Sequence, residues 1–215
     1  KNIWARGCGR DGLLLYSGVT DPHSDHMAIT IEKCRLDWNG RCGMAWSGGQ
    51  DVTATDSYFN SNAIGYVRSD AAAGLDMENE GPEFAPVKQG YFDRCTFAYN
   101  HDFGVISDCA SSCSRVQNTG TYVFTDCIIV GSETGNALYP NAPSMKFVRC
   151  QIYGATSNAF NGAKCLPPNE TCCLYDTLAG THFDACYFSD AYNGEFISVN
   201  LRRLFESNHM GEGYF

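Results

Sequence analysis

Hydrophobic and polar positions alternate along this chain in short runs, and one such run recurs from end to end. It appears as ITIEKCRL at 29–36, VTATDSYF at 52–59, GYFDRCTF at 90–97, YVFTDCII at 122–129, MKFVRCQI at 145–152 and THFDACYF at 181–188. A period of two marks a half-buried strand. Each run carries a small residue just before its last apolar pair: Cys34, Ser57, Cys95, Cys127, Cys150 and Cys186. The inward position that follows is Leu36, Phe59, Phe97, Ile129, Ile152 and Phe188. The small residues are 23, 38, 32, 23 and 36 apart. A stack of coils tolerates that irregularity, because each coil keeps its strands and varies its loops. A second short strand follows each run: GMAW at 43–46, GLDM at 74–77, GVIS at 104–107, NALY at 136–139, NAFN at 158–161 and GEFI at 194–197. GLLL at 12–15 completes a partial coil opened by NIWA at 2–5.

This pattern predicts an all-β fold, a single-stranded right-handed parallel β-helix of about seven coils forming one domain over 1–215. Like residues then stack on like about 4.8 Å apart, and the five cysteines become a buried column of separate thiols that tolerates Ser57. Asn and Gly in the turns NGRCG, YNHDFG and YNGEF are expected where φ turns positive. No segment has a helical period, and proline falls in loops. A β-sandwich would not repeat the same two-strand unit six times. Open stack ends invite edge pairing, so further chain segments or partner subunits, as in a homotrimer, are expected to cover them. The start at Lys1, without Met or an apolar leader, suggests a processed product or a fragment of a longer chain.

Composition narrows the function. Hydrophobic residues are 44% and charged residues 18%, which sets the chain apart from disordered ones. The net charge of −9 opposes binding to nucleic acid or to an anionic membrane, and no apolar run is long enough for a membrane span. A polyanionic substrate would need a local cationic strip, for which Arg41, Arg68 and Arg94 are candidates, although a solvated turn charge is the better fit for any one of them. Twelve cysteines point to an oxidising, extracellular setting. Cys109, Cys113, Cys165, Cys172 and Cys173 lie in loops, where a local disulfide would staple the chain. Free thiols are the alternative, and zinc would lack its usual paired spacing. Cys8 and Cys42 suit either the column or a bridge. Asn169-Glu170-Thr171 is a glycosylation sequon.

One stretch is more specific than the repeat. NGRCGMAWSGGQDVTATDSYF at 39–59, followed by AAAGLDMENEG at 71–81, resembles a group within the pectate-lyase-like β-helix superfamily, found in secreted bacterial proteins and phage tailspikes. That group has an Asn-Arg-Arg-Gln-Gly-Ile-Ser type turn and strand, then a Gly-Ile-Asp-Ile-Glu-Pro type strand. The matching positions are Asn39, Arg41, Gly43 and Met44, then Gly74, Leu75, Asp76, Met77 and Glu78. Cys42 stands for the usual Gln and Asn79 for the usual Pro. The superfamily holds polysaccharide lyases, hydrolases, epimerases and non-catalytic members, so the resemblance implies a carbohydrate partner more firmly than any one reaction.

In GLDME, Leu75 and Met77 face one side of a strand and Asp76 and Glu78 the other. The two acids should project outward with Cα atoms about 6.5–7 Å apart. Such a pair can split acid and base roles in glycoside hydrolysis, with Arg41 and Asp108 as catalytic partners. It could also bind Ca²⁺, the cofactor that lyases of the resembled superfamily use to neutralise a uronate. Two solvated acids are the plain alternative. Glu80, Asp11, Tyr16, Trp38 and Tyr66 are expected to contact the sugar, and Tyr91 is a further stacking candidate, although alternating aromatics also build cores. His23, Asp25 and His26 could hold a metal or belong to a hydrated loop. The expected function is an extracellular polysaccharide-degrading enzyme, a hydrolase before a lyase or epimerase. A non-catalytic glycan-binding shaft or adhesin is the alternative from another class.

Overall fold

The computed structural model describes residues 1–16, 26–65, 72–79, 87–109, 121–131, 137–140, 145–154, 182–189, 191–192 and 195–196. Within them the repeated runs are two strands joined by a corner, except that at 52–59 the second strand is reduced to a single bridge at Tyr58. β3 (His26–Glu32) ends, Lys33 adopts a φ of 54°, and β4 (Arg35–Asp37) begins in another sheet. The same corner recurs at Asp56, Arg94, Asp126, Arg149 and Ala185, with φ between 49° and 51°. The single eight-residue strand expected from the alternation is thereby corrected. The corner swings the next residue inward, and a small side chain there fits the angle between two sheets.

The chain visits three parallel sheets in turn. The first sheet stacks β2 (Leu13–Leu15), β5 (Met44–Trp46), β7 (Ala73–Asn79), β10 (Phe103–Cys109) and β13 (Leu138–Pro140). The second stacks β3, β6 (Gln50–Thr55), β8 (Lys88–Asp93), β11 (Tyr122–Thr125), β14 (Met145–Val148) and β16 (His182–Asp184). The third stacks β9 (Thr96–Phe97), β12 (Ile128–Val130), β15 (Gln151–Tyr153) and β17 (Tyr187–Ser189). Tyr58 bridges Thr96 to Arg35, which joins β4 and its partner β1 (Trp4–Arg6) to that same face. β18 (Ala191–Tyr192) and β19 (Glu195–Phe196) instead pair antiparallel. Glu195 and Phe196 of GEFI therefore do not extend the first sheet, and NAFN lies outside the described residues. The architecture is a parallel β-helix.

The cysteine column forms as expected. The N–H groups of Tyr58, Thr96, Ile128, Gln151 and Tyr187 donate to the carbonyls of Cys34, Ser57, Cys95, Cys127 and Cys150. Cys34, Cys95, Cys127 and Cys150 are buried free thiols, whereas Cys186 is half-buried. Each thiol donates to the carbonyl two residues back, as Cys127 Sγ does to Thr125 at 3.3 Å, and Ser57 Oγ makes the same bond to Thr55 at 2.7 Å. Beside this column runs a stack of rings, with Phe92, Phe124, Phe147 and Phe183 spaced 4.7, 4.9 and 5.1 Å between centroids. Phe59 and Phe97 stack at 4.8 Å in the adjoining row. Each such pair contributes about 0.5–1.5 kcal/mol beyond burial.

The turn residues do something other than expected. Asn39, Asn62 and Asn100 are not at positive φ. They form a buried ladder: Asn39 Nδ2 donates to Asn62 Oδ1 at 3.1 Å, and Asn62 Nδ2 to Asn100 Oδ1 at 2.9 Å. The same oxygens accept the backbone N–H groups of Asn39 and Asn62. This satisfies backbone groups that a turn would otherwise leave without partners. Positive φ is carried largely by other residues, among them Trp38, Ser61 and Tyr99.

Candidate functional site

The outward positions of the first sheet form two columns. Leu14, Ala45, Asp76 and Ile106 stand in register across β2, β5, β7 and β10. Two residues further along, Glu78 pairs with Asp108, while Tyr16 and Ser47 follow the paired Leu15 and Trp46. Leu75 and Met77 point the other way, into the core with Met44, Trp46 and Val105. The period of two therefore assigns the two faces of GLDME as expected.

Exposure is where expectation and structure part. Asp76 is on the outward side of its strand yet only 2% exposed, and Glu78 is half-buried. Asp76 lies within a polar cluster assembled from three coils. Arg41, in the turn before β5, has Nη1 3.9 Å from Asp76 Oδ2. The Cys42 thiol is 3.8 Å from the same oxygen. Arg41 is itself held by Asp11 in a two-pronged pair, Nε to Oδ1 at 2.8 Å and Nη2 to Oδ2 at 3.1 Å. The Cys42 N–H adds a bond to Asp11 Oδ1 at 3.2 Å. Two carboxyl groups thus share one buried guanidinium.

Burial opposes the charge on Arg41, but the Asp11 hydrogen bond and nearby negative groups outweigh it and hold the guanidinium pKa above its ordinary value. Burial pushes the Cys42 thiol well up, and the neighbouring Asp76 pushes it further. Cys42 is thus a neutral, weak donor beside a carboxyl group. It belongs to an outer cluster with Ala45, Ala73 and Ile106, not to the cysteine column, and both it and Cys8 are free thiols. Its replacement of the resembled group's Gln was the signal in the sequence that this position touches the site.

The other expected residues are scattered. Tyr16 is exposed in the Glu78 column, whereas Trp38 is exposed at the end of the third-sheet strand β4. Tyr91 is exposed on the second sheet. Glu80 and Tyr66 lie outside the described residues, as does the side chain of Asp108. Asp11, expected to contact sugar, is 3% exposed at its side chain and clamps Arg41. Arg94 is no open cation, since it pairs with Asp56 at 2.8 Å and also with Asp93. Arg68, His23, Asp25, the sequon and the loop cysteines Cys113, Cys165, Cys172 and Cys173 are outside the described residues, as are the side chains of His26 and Cys109.

Calcium fits this site poorly. The Arg41 guanidinium stands 3.9 Å from Asp76, where the charge of a bound cation would have to lie. Among the described residues no three His, Cys, Asp or Glu side chains converge as a metal site.

Comparison with known proteins gives one match. No curated protein and no solved structure matches the chain. A family model described as the right-handed β-helix region matches residues 1–188. The three parallel sheets, the inward thiol and phenylalanine columns and that match agree: this chain belongs to the right-handed parallel β-helix family.

Proposed function

We propose that this protein is an extracellular polysaccharide-degrading enzyme, a glycoside hydrolase whose acid–base pair is Asp76 and Glu78. The observation that carries the reading is the cluster around Asp76. A carboxyl group outside the core is nonetheless 2% exposed and faces Arg41 and Cys42, with Glu78 two residues along the strand. A site that orders a carboxyl group away from water while leaving a second one partly open separates their protonation behaviour. One carboxylic acid protonates the glycosidic oxygen as the C–O bond breaks. The other carboxylate takes a proton from the incoming water, whose oxygen forms the new bond to the anomeric carbon. Cα atoms two apart on a strand are about 6.6 Å apart, which leans towards the inverting arrangement. Arg41 positions Asp76, and Asp108 lies beside Glu78 in the next coil.

The same cluster favours a second reading, a non-catalytic glycan-binding shaft. A carboxyl group beside a clamped arginine is also what a structural ion cluster contains. The two readings separate in one experiment. A panel of polysaccharides is incubated with the parent protein and with Glu78→Gln and Asp76→Asn, and new reducing ends are measured. Hydrolysis predicts that each substitution lowers the rate about 10²–10⁴-fold. Thermal stability should stay level or rise, because an amide at 76 removes one of two carboxyl groups sharing Arg41. Cleavage by both variants at the parent rate would remove the pair from catalysis, and retention of glycan without cleavage by the parent would favour the shaft.

A further inference from the structure

The outward face of β1 and β4 carries a strip that differs from the rest of the third sheet. Five side chains alternate ring and guanidinium along it: Trp38, Arg6, Trp4, Arg35 and Tyr58. The Arg6 guanidinium carbon lies 5.2 Å from the Trp4 ring and 5.4 Å from the Trp38 ring. The Arg35 carbon lies 5.4 Å from Trp4 and 5.8 Å from Tyr58. Register produces the order, since Trp4 is opposite Arg35, which bridges in turn to Tyr58. Trp4 and Tyr58 are therefore two strand spacings apart, roughly 9.6 Å.

The strip is open and held in place. Trp4, Trp38 and Tyr58 are 56%, 49% and 48% exposed, while the core phenylalanines are closed. The Trp4 indole N–H donates to Asp37, a buried carboxylate that also meets Arg35 Nη2 at 3.2 Å. Asp37 thus fixes one ring and offsets one charge. Arg6 is different: among the described residues it stacks on two rings and pairs with no carboxylate. A shallow pocket beside Trp38, lined by Gly7, Cys8, Asn39 and Ile64, continues the strip at its end.

We infer that this strip is a second saccharide site, distinct from Asp76 and Glu78, and that it takes an acidic glycan bearing hexuronate units. Flat, exposed rings fixed at strand spacing present surfaces on which the C–H faces of pyranose rings can stack. The Arg6 guanidinium, held between rings, offers a planar fork to a sugar carboxylate. A neutral glycan leaves that charge unanswered, and an apolar partner would have to bury it. The protein carries a net charge of −9, so a polyanion repelled elsewhere is steered to this patch. The inference rests on the reading of this protein as one that acts on polysaccharide, and adds a substrate class to it.

Affinity electrophoresis tests it, with polygalacturonate, alginate or hyaluronan in the gel and dextran as the neutral control. The parent should be retarded by at least one of the uronate polymers and not by dextran. Trp4→Ala and Arg6→Gln should each weaken that retardation about tenfold, in line with the loss of a stacking or guanidinium contact. Arg6 is exposed and outside the core, so its variant also controls for folding. Arg149→Gln, which removes the same charge from a corner outside both sites, should be retarded like the parent. The inference is overturned if no uronate polymer retards the parent, if dextran does so equally, or if both strip variants run as the parent does. It is also overturned if the parent forms a dimer that Trp38→Ala dissolves and binds no glycan. Strip binding without cleavage by the parent would sink the hydrolase reading alone, whereas cleavage with unchanged retardation of the strip variants would sink the strip alone.

Discussion

At Gly74, an added Cβ would lie 2.7 Å from Asn100 Nδ2, from the Gly104 carbonyl oxygen and from the Phe59 carbonyl oxygen. Two of those three atoms are backbone, and the third is a rung of the buried asparagine ladder. Nothing there can move cheaply. Gly12 and Gly43 meet the ladder in the same way, through Asn39 Nδ2 at 2.5 Å and Asn62 Nδ2 at 3.0 Å. Glycine is needed for close approach at these positions, and none of the three has positive φ. Gly74→Ala should cost about 1–3 kcal/mol, read as a drop of several degrees in Tm. Gly9→Ala, with nothing within 4 Å, should melt like the parent. Equal melting of the two variants would contradict the packing described. Composition alone pointed to the turns but misassigned their chemistry. An Asn-Gly turn suggests a backbone sign, whereas here the amide contacts come from residues 23 and 38 positions away.

The corner is written in the sequence as a break in the alternation. Inward residues run Ile29, Ile31, Cys34 and Leu36 in the first run, and Gly90, Phe92, Cys95 and Phe97 in the third. The step from Ile31 to Cys34 is three residues where a straight strand needs two, and that slip repeats in each run. Site residues divide along the same line. The outward side of Asp76 followed from the period of two, but its burial did not, because Arg41 and Asp11 arrive from other coils. The corners also align charges that sequence proximity hides. Lys33, Asp56, Arg94, Asp126 and Arg149 alternate in sign up the stack, with Arg94 on Asp56 and Arg149 on Asp126 through two-pronged pairs. The Arg94 hydrogen bond lowers the Asp56 pKa, and the Arg149 hydrogen bond lowers that of Asp126. A carboxyl group whose folded pKa is depressed stabilises above its unfolded pKa, near 3.8. That contribution is lost as pH falls through the lower folded value. Arg94→Gln should therefore melt below the parent at pH 7, by a margin that shrinks in high salt and closes in acid. A margin that persists unchanged at high salt and at about pH 2 would assign the effect to packing of the arginine stem instead.

Across the whole molecule, each coil touches its neighbours along the stack, so stability should behave as a chain of interfaces rather than as one indivisible core. The cysteine column reports on this directly, with one thiol in nearly every coil it crosses. Cys95, Cys127 and Cys150 have coils on both sides and are closed to solvent, whereas Cys186 is half-buried in the last parallel rung of the described stack. Burial also pushes the Cys127 thiol pKa well up, whereas hydrogen bonds from Cys127 and Cys186 lower that of Cys150 and the Cys150 bond raises that of Cys186, so access to the reagent rather than thiolate content sets the order of labelling. Native protein treated with iodoacetamide should label first at Cys186, and only slowly at Cys95, Cys127 and Cys150. Below the main unfolding transition, added urea should accelerate Cys150 before Cys127, because opening proceeds inward one interface at a time. Peptide mapping after timed quenching resolves the order. Rapid labelling of Cys95 or Cys127 in the folded protein would break the column itself. Labelling of all five column thiols at one common rate, equal to that of global unfolding, would keep the column but refute the chain of interfaces. Stacked rings from Phe92 to Phe183 and the continuous asparagine ladder would then couple the coils more tightly than their separate hydrogen-bonded rungs imply.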